Sequence, residues 1–319
     1  MKRKASLSLD LDNQWSYMKT HGDSGWESFP SYLDVVVPRI LKMLKERDLK
    51  ITFFVVGQDA ALEKNHAALR LITEAGHEIG NHSFHHEPWL HLYSEEQVHE
   101  ELERAEDVIQ NATGLRPQMF RGPGFSLSPT VLRVLKQRDY LFDASTMPTY
   151  LGPLARAYYL RTAKLEGEER EKRAKLFGTW KEGVKPVKPY LWELEQDSLL
   201  EIPVTTMPWF KLPFHLSYVL YLSTYASWLA SLYFRTALRF CRMARFGPSL
   251  LLHPLDFLSA EDVQGLDFFP GMKMPLEHKL QRVGHYLDLY AAAFDVTPMG
   301  EFAQSLTQSS NGPLPKRKL

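Results

Sequence analysis

The sequence predicts an α/β fold, specifically a single (β/α) barrel with an inserted segment and a long amphipathic helix. Short apolar runs alternate with stretches of helical periodicity through the first half of the chain, which is typical of parallel α/β architecture. The length of 319 residues suits one large domain with insertions. Strand signals return after residue 200 and indicate that the same barrel resumes there.

The elements can be placed from apolar spacing and from their end signals. Ser94 and Gln97 form a capping-box pattern that opens a helix, and Gly76 is expected to end an earlier one. The predicted elements are a strand at 5–12, a helix at 32–45, a strand at 50–56, helices at 60–75 and 94–112 around a strand at 77–81, strands at 200–205 and 249–253, and a helix at 276–294.

The regular alternation of strand and helix signals stops between the two predicted parts of the barrel. A charge run and the spaced prolines Pro186 and Pro189 indicate that 148–195 is an insertion, either a lid over the site or a solvated helix and loop with no role in binding. The predicted division is therefore a barrel at 1–147 and 196–304, an insertion at 148–195 and a flexible tail at 305–319.

Composition excludes several classes of function. The 38 basic and 38 acidic residues balance, so no nucleic-acid partner is expected. Cys241 is the single cysteine, which excludes an intramolecular disulfide and a multi-cysteine zinc site. The basic start is followed by alternating residues that include Asp10 and Asp12 rather than by an apolar signal segment, and this predicts a cytoplasmic location.

Two histidines and a carboxylate form a candidate metal site. His82 and His86 follow a predicted strand and can face one cation if the turn folds back, and Asp12 ends the first strand. Two imidazoles, one carboxylate and open positions are a common arrangement for catalytic Zn²⁺ and similar ions.

Further polar residues lie at the predicted carboxyl ends of strands, which meet on one face of a parallel barrel. This set consists of Asp10, Arg121, Asp143 and His253. Their positions favour a catalytic site over scattered surface histidines.

These residues stand in motifs that resemble the polysaccharide deacetylase (NodB homology, carbohydrate esterase family 4) pattern. Ser8–Asp12 is similar to the first motif in its Asp-x-Asp form, and His82–His86 to the second. Arg121–Phe125 resembles the third motif, and Leu251–His253 resembles the Leu-x-His motif. The resemblance implies a distorted barrel of the NodB type and hydrolysis of an amide on a sugar.

The resemblance also implies a role for each residue. Asp12, His82 and His86 would bind one divalent metal, Zn²⁺ first and Co²⁺, Ni²⁺, Mn²⁺ or Fe²⁺ as alternatives. Asp10 would be the general base, held by Arg121, and His253 the general acid. Gly124, Phe125 and Asp143 would contact the substrate, with the Gly124 N–H facing the oxyanion.

Other interpretations of the same residues stay open. Asp10 could be a second metal ligand, Arg121 a structural partner of Asp143, and His253 a capping residue. The glycines at 122 and 124 could form only a turn. The family's fourth motif has no convincing copy here, so the group that tunes His253 is open, with Asp256 one option.

Residues 212–234 contain no Asp, Glu, Lys or Arg, and Arg235, Arg239 and Arg242 follow. The pattern over 212–245 fits an interfacial helix on the inner face of the cell membrane, or an ordinary amphipathic helix packed on the barrel.

The function expected is removal of an acyl group, acetyl above all, from an amino sugar of an intracellular lipid-linked or nucleotide-linked precursor. Two alternatives remain, an allantoin-type amide hydrolase of the same fold and a non-catalytic glycan-binding barrel. The sequence does not indicate an oligomeric state.

Overall fold

The computed structural model describes residues 2–154, 157, 161, 180–195, 197–308 and 313–318. Its strands are β1 (Lys4–Leu11), β2 (Thr52–Val55), β3 (Glu78–Asn81), β4 (Met119–Phe120), β5 (Phe142–Asp143), β6 (Tyr190–Glu193), β7 (Ser198–Glu201), β8 (Ser249–Leu252), β9 (Asp295–Thr297) and β10 (Lys316–Lys318).

The α-helices are α1 (Gln14–His21), α2 (Leu33–Lys45), α3 (Gly57–Ala60), α4 (Glu63–Glu74), α5 (Glu95–Thr113), α6 (Pro129–Gln137), α7 (Leu216–Tyr225), α8 (Ser227–Met243), α9 (Leu276–Ala293) and α10 (Met299–Gln308). Short 3-10 helices occupy Trp26–Ser28, Leu90–Leu92, Pro123–Phe125, Trp180–Val184 and Pro254–Phe257.

The strands form one sheet in the order β10-β6-β7-β5-β4-β3-β2-β1-β8, and β9 also pairs with β1. Every pairing is parallel except that of β6 with β7, which is antiparallel. This mixed sheet with helices packed around it is the distorted barrel that the sequence predicts. The carboxyl ends of β1, β3, β4, β5 and β8 carry the predicted site residues.

The first strand explains how the barrel separates its core from its site. Alternate residues of β1, including Leu7 and Leu9, pack with α2 in the main hydrophobic core. Because side chains alternate across a strand, Ser8 and Asp10 face the other side of the sheet, the interior of the barrel. Asp12 continues this spacing just beyond the strand and is therefore placed on the same side as Asp10.

Two predicted boundaries are wrong. Tyr190–Glu193, which the sequence assigns to the insertion, is strand β6 of the sheet. The tail predicted at 305–319 contains the end of α10 and strand β10, which pairs with β6. The sequence also predicts that 148–195 could form a lid over the site. Most of that segment, residues 155–179 except 157 and 161, lies outside the described residues.

The single long helix predicted within 212–245 is two helices. Ala226 has extended backbone angles (φ −153°, ψ 103°) and separates α7 from α8. The break lets each helix bury its own apolar side. Helix α7 packs beside β8, and α8 packs against α9. In the second contact the ring centroids of Phe234 and Tyr286 are 5.2 Å apart. Among the described residues, no helix has both the length and the apolar character needed to cross a bilayer.

Gly57 fixes how α3 meets the loop at residues 82–86. Its N–H donates to the carbonyl of Ser83 at 2.8 Å. A Cβ at this position would lie 2.8 Å from the Phe84 ring, 2.9 Å from the Phe84 Cα and 3.0 Å from the Ala105 Cα. No larger residue fits there without moving the loop.

We therefore expect Gly57→Ala to lower the free energy of unfolding by about 1–3 kcal/mol, the usual cost of overpacking. Helix propensity alone predicts a gain of roughly 1 kcal/mol for the same change. Urea unfolding followed by circular dichroism measures whether Gly57→Ala lowers or raises the free energy of unfolding. A variant more stable than wild type would contradict the close contact between Gly57 and the loop.

Candidate active site and metal centre

The structure brings Asp12, His82 and His86 together. One ligand atom from each lies within 4.8 Å of the other two. His86 Nε2 is 3.0 Å and His82 Nε2 is 3.3 Å from Asp12 Oδ1. The predicted three-residue cluster is thus present in the fold.

Local backbone geometry turns both imidazoles inward. Ser83 (φ +61°) and His86 (φ +55°) adopt left-handed conformations that non-glycine residues rarely accept. Glu101 of α5 holds the turn, because its Oε1 accepts the N–H groups of Phe84 and His85. The loop folds back on itself, as two ligands four residues apart require.

The donor set fits a divalent cation. His82 Nδ1 donates to the carbonyl of Arg121 at 2.6 Å, so its Nε2 is left free for the cluster. The Tyr32 hydroxyl donates to the backbone carbonyl of Asp12 at 2.6 Å and so fixes the backbone that carries the Asp12 carboxylate. Oriented imidazoles and a supported carboxylate are what a Zn²⁺ site needs.

The electrostatics of the cluster favour a bound cation. Burial acts to raise the pKa of Asp12, but His86 and then His82 outweigh it and hold that pKa well below its usual range. Burial likewise acts to lower the pKa of His82, yet Asp10 and Asp12 raise it overall. The site thus attracts positive charge, which a metal ion supplies in place of protons.

Asp10 lies beside the cluster in an ion pair. Its Oδ1 accepts a hydrogen bond from Arg121 Nη1 at 2.6 Å, and the same nitrogen contacts Ser8 Oγ at 3.0 Å. The Arg121 guanidinium is fully buried, with its Cζ 4.3 Å from the centroid of the Phe54 ring. Its hydrogen bonds hold Asp10 in a fixed orientation next to the metal ligands.

His253 reaches the same cavity from the end of β8. Its Nδ1 lies 3.0 Å from the hydroxyl of Ser217, at the start of α7. Its backbone N–H donates to Asp256 Oδ2 at 2.9 Å. Asp256, one option for the group that tunes His253, is therefore close, and Ser217 is a second neighbour that the sequence did not indicate.

These groups surround a cavity of about 170 Å³. Its lining combines the metal cluster, Asp10 and His253 with residues of α1 and of the Pro123–Phe125 turn. The lining residues are Asp10, Asp12, Ser16, Tyr17, Thr20, His82, His86, Pro88, Gly124, Phe125 and His253.

Sequence reasoning missed the wall contributed by α1. Asn13 caps this helix through its side chain, which accepts from the Gln14 N–H, and an asparagine before the run at 14–21 was the available signal. Tyr17 and Thr20 enter the cavity lining from this helix. The predicted contacts at Gly124 and Phe125 do line the cavity.

Asp143 does not line the cavity and therefore cannot contact a substrate there. It is 0% exposed, absent from the cavity lining, and hydrogen-bonded to the hydroxyl of Ser145 at 2.6 Å. Burial raises its pKa and that of the neighbouring Glu201. The substrate role predicted for Asp143 is corrected to a structural one beneath the Arg121 loop, because Ser145 also accepts the Gly122 N–H.

Residues 82–99 contain five histidines, and the three outside the metal site have other partners. His85 pairs with Glu101 at 2.6 Å, His91 contacts Ser126 at 2.8 Å, and His99 contacts Gln137 at 2.9 Å. Of the five, His82 and His86 are the two that reach Asp12.

The fold and the site define an α/β-barrel protein with a His₂–Asp centre that fits a divalent cation, flanked by an ion-paired carboxylate and an imidazole. Residues 22–142 match the family model of polysaccharide deacetylase. This match supports the family resemblance that the motifs indicate. The matched region contains His82, His86 and Arg121, whereas the geometry alone brings Asp10, Asp12 and His253 to them.

Curated relatives match over part of their length. A peptidoglycan-N-acetylglucosamine deacetylase of Bacillus cereus is 29% identical over 104 residues, which is 33% of this chain and 37% of that protein. A peptidoglycan-N-acetylmuramic acid deacetylase of Bacillus subtilis is 31% identical over 110 residues, 34% of this chain and 41% of that protein. The match spans about two fifths of these relatives.

The fold extends over nearly the whole chain of one solved structure. A Mycobacterium smegmatis protein assigned as a polysaccharide deacetylase superposes with a TM-score of 0.64 at 20% identity, covering 98% of this chain and 93% of that one. The fold prediction is therefore confirmed.

We expect His82→Ala to lower the affinity for Zn²⁺ at least 100-fold, since it removes one of three ligands and leaves the cavity intact. His99→Ala, from the same stretch of histidines but bonded to Gln137, is the matched control and should bind Zn²⁺ like wild type. Isothermal titration calorimetry on metal-stripped protein measures both. Equal zinc affinity in the His82 variant and wild type would show that His82 is not a metal ligand.

Proposed function

We propose that the chain is a metal-dependent hydrolase that removes an N-acyl group, acetyl above all, from an amino sugar. One observation carries the proposal: a cation cluster, a carboxylate held by a buried arginine and an imidazole line one cavity. A binding protein needs no such combination of base, acid and cation site, so this set favours an enzyme over a glycan-binding barrel.

Each residue has a chemical task in amide hydrolysis. Asp12, His82 and His86 would hold a divalent cation, which would supply polarisation of the acyl carbonyl and acidification of water. Asp10, oriented by its hydrogen bond from Arg121, accepts the proton of the attacking water as the oxygen of that water bonds to the acyl carbon. His253 donates a proton to the nitrogen as the carbon–nitrogen bond breaks, because an amine leaves only when protonated. Acetate and the free amino sugar are the products.

The sugar assignment rests on the relatives. Those from Bacillus cereus and Bacillus subtilis are named as deacetylases of N-acetylglucosamine and N-acetylmuramic acid in peptidoglycan. We extend the shared chemistry, an N-acetylated amino sugar, to this chain. Zn²⁺ is the metal proposed because imidazole and carboxylate ligands suit it.

We expect zinc-loaded protein to release acetate from at least one member of a panel of nucleotide-linked and lipid-linked N-acetyl sugars, and metal-stripped protein to release none. Asp10→Asn should lower kcat about 10²- to 10⁴-fold while keeping its zinc, because it removes the base and no ligand. Acetate and ammonia are both measured, together with bound zinc. Ammonia in place of acetate would point to the cyclic-amide alternative, and full turnover without metal would refute the mechanism.

We further propose that the substrate is an intracellular precursor on a lipid carrier, and that the protein contacts the inner face of the cell membrane through 212–245. Support comes from an aromatic stripe, defined as Tyr225, Trp228, Leu229 and Leu232, whose exposed fractions are 74%, 71%, 51% and 53%.

Charge along the same helix supports an anionic lipid surface. Arg235, Arg239 and Arg242 are exposed beyond the stripe, and 212–245 contains no acidic residue. Aromatic rings at headgroup depth with arginines beside them are typical of interfacial helices, and the cytoplasmic leaflet carries anionic lipid. The opposite side of α8, including Phe234 and Leu238, packs in the core, so only the exposed side is available.

We expect wild type to float with vesicles that contain anionic phospholipid and Trp228→Glu/Leu232→Glu to stay in the soluble fraction, because the change adds two charges to the stripe. The control is Leu115→Glu/Leu141→Glu, which adds the same charge at two exposed leucines before β4 and β5. Flotation that is equal in the stripe variant and wild type would refute membrane contact through this surface.

A further inference from the structure

Asp59 of α3 contacts residues that adjoin two of the proposed metal ligands. Its Oδ1 accepts hydrogen bonds from Asn13 Nδ2 at 2.7 Å and from Trp15 Nε1 at 2.9 Å. Asn65 Nδ2 of α4 donates to the same oxygen at 3.3 Å and to the Asp59 carbonyl at 3.0 Å. Asp59 is 1% exposed and does not line the cavity, so it acts on the site only through these partners.

The first route from Asp59 to the site runs through Asn13, which follows the metal ligand Asp12 in the chain. The Asn13 side chain also donates to Ser31 Oγ at 2.9 Å, and its Oδ1 accepts the Tyr32 N–H at 3.1 Å. The Tyr32 hydroxyl in turn donates to the Asp12 carbonyl at 2.6 Å. Because the Asn13 amide cannot turn without breaking these contacts, its bond to Asp59 fixes the backbone beside Asp12.

The second route runs through Trp15 to the metal ligand His86. The Trp15 side chain is buried, and its ring meets the His86 ring edge to face, with centroids 6.4 Å apart and an interplanar angle of 77°. In the part of the chain that the structure describes, the His86 ring makes one hydrogen bond, from Nε2 to Asp12. The ring of His82, by contrast, is also held at Nδ1. Packing against Trp15 therefore orients His86, and the bond to Asp59 fixes the indole.

Helix α3 also holds the histidine loop through its backbone. The N–H of Gly57 donates to the Ser83 carbonyl at 2.8 Å, and the N–H of Gln58 donates to the Phe84 carbonyl at 2.9 Å. Asp59 is the next residue of the helix. The loop after β3 and the segment after β1 are thus tied to one short helix, and Asp59 makes the side-chain part of that link.

We infer that Asp59 is a positioning residue for the metal centre, which orients the ligands Asp12 and His86 through their neighbours. The inference rests on the metal site of the proposed function and extends it to a residue that touches neither metal nor substrate. Removing a group that orients a metal ligand typically lowers metal affinity about 10- to 100-fold. Asp59 acts through one further residue, so the effect belongs at the low end of that range.

The hydrogen bonds of Asp59 can be separated from its charge. Burial raises its pKa to about 7, and the hydrogen bonds from Asn13 and Trp15 act to lower it. Asparagine at this position lacks the charge but keeps a carbonyl oxygen that accepts from both donors. Leucine has a similar volume and no acceptor. Comparing the two substitutions therefore isolates the loss of the hydrogen bonds.

The test compares Asp59→Leu with Asp59→Asn in the full chain, stripped of metal and titrated with Zn²⁺ or Co²⁺. Trp15→Phe is a second variant, because it removes one N–H donor and keeps an aromatic ring beside His86. Glu106→Leu is the matched control, since Glu106 is a buried carboxylate that pairs with Arg138 at 2.8 Å and does not line the cavity. Calorimetry measures the affinity for Zn²⁺, and the visible absorption of bound Co²⁺ reports the ligand geometry. Circular dichroism identifies the variants that are folded.

We expect Asp59→Leu to lower the affinity for Zn²⁺ on the order of 10-fold and to change the Co²⁺ spectrum. Trp15→Phe should show a smaller change of the same kind, Asp59→Asn should recover most of the affinity, and Glu106→Leu should bind like wild type. Neither measurement uses a substrate, so both decide the role of Asp59 even if the proposed deacetylation fails.

Wild-type affinity and spectrum in folded Asp59→Leu would overturn the inference, as would the same result in Trp15→Phe where the leucine variant does not fold. A loss in Asp59→Asn or in Glu106→Leu equal to that in Asp59→Leu would also overturn it. Wild-type protein that binds neither ion would refute the proposed metal site itself, and with it this role of Asp59.

Discussion

The buried contact between Arg121 and Asp10 organises the whole site. The guanidinium binds Asp10 of β1 and the carbonyl of Ala144 beyond β5, while the carbonyl of Arg121 itself orients His82 beyond β3. One residue thus fixes three strand ends relative to one another. A buried charge without its partner costs about 3–5 kcal/mol, so the pair constrains every neighbouring position. The metal cluster and the base are two parts of one hydrogen-bonded unit.

The sequence was sufficient where side-chain placement follows from strand geometry. Asp10 and Asp12 share a face because alternation along β1 puts them there, and His82 and His86 follow β3 directly. Alternation does not say which buried acid reaches the cavity. Asp143 also ends a strand, yet its contacts with Ser145 and Glu201 keep it beneath the Arg121 loop.

The parts that sequence reasoning missed depend on packing between distant segments. The pattern at 190–193 follows the charge run and the spaced prolines, and its pairing with β7 and β10 makes it a strand. The break at Ala226 has no proline or glycine to announce it. Ser217 lies in a run without charged residues that reads as an apolar helix, and its meeting with His253 requires α7 to lie across the end of β8.

Helix α7 connects the two proposals. Ser217 is near its start and Tyr225 is its last residue, and at 1.5 Å per residue these positions are roughly 12 Å apart along the axis. The helix that holds the proposed acid therefore ends at the aromatic stripe. A sugar carried at a membrane surface would meet the cavity close to the proposed lipid contact. This proximity favours the proposed lipid-linked sugar over a free one, because α7 leads from the His253 contact at Ser217 to Tyr225, the first residue of the stripe.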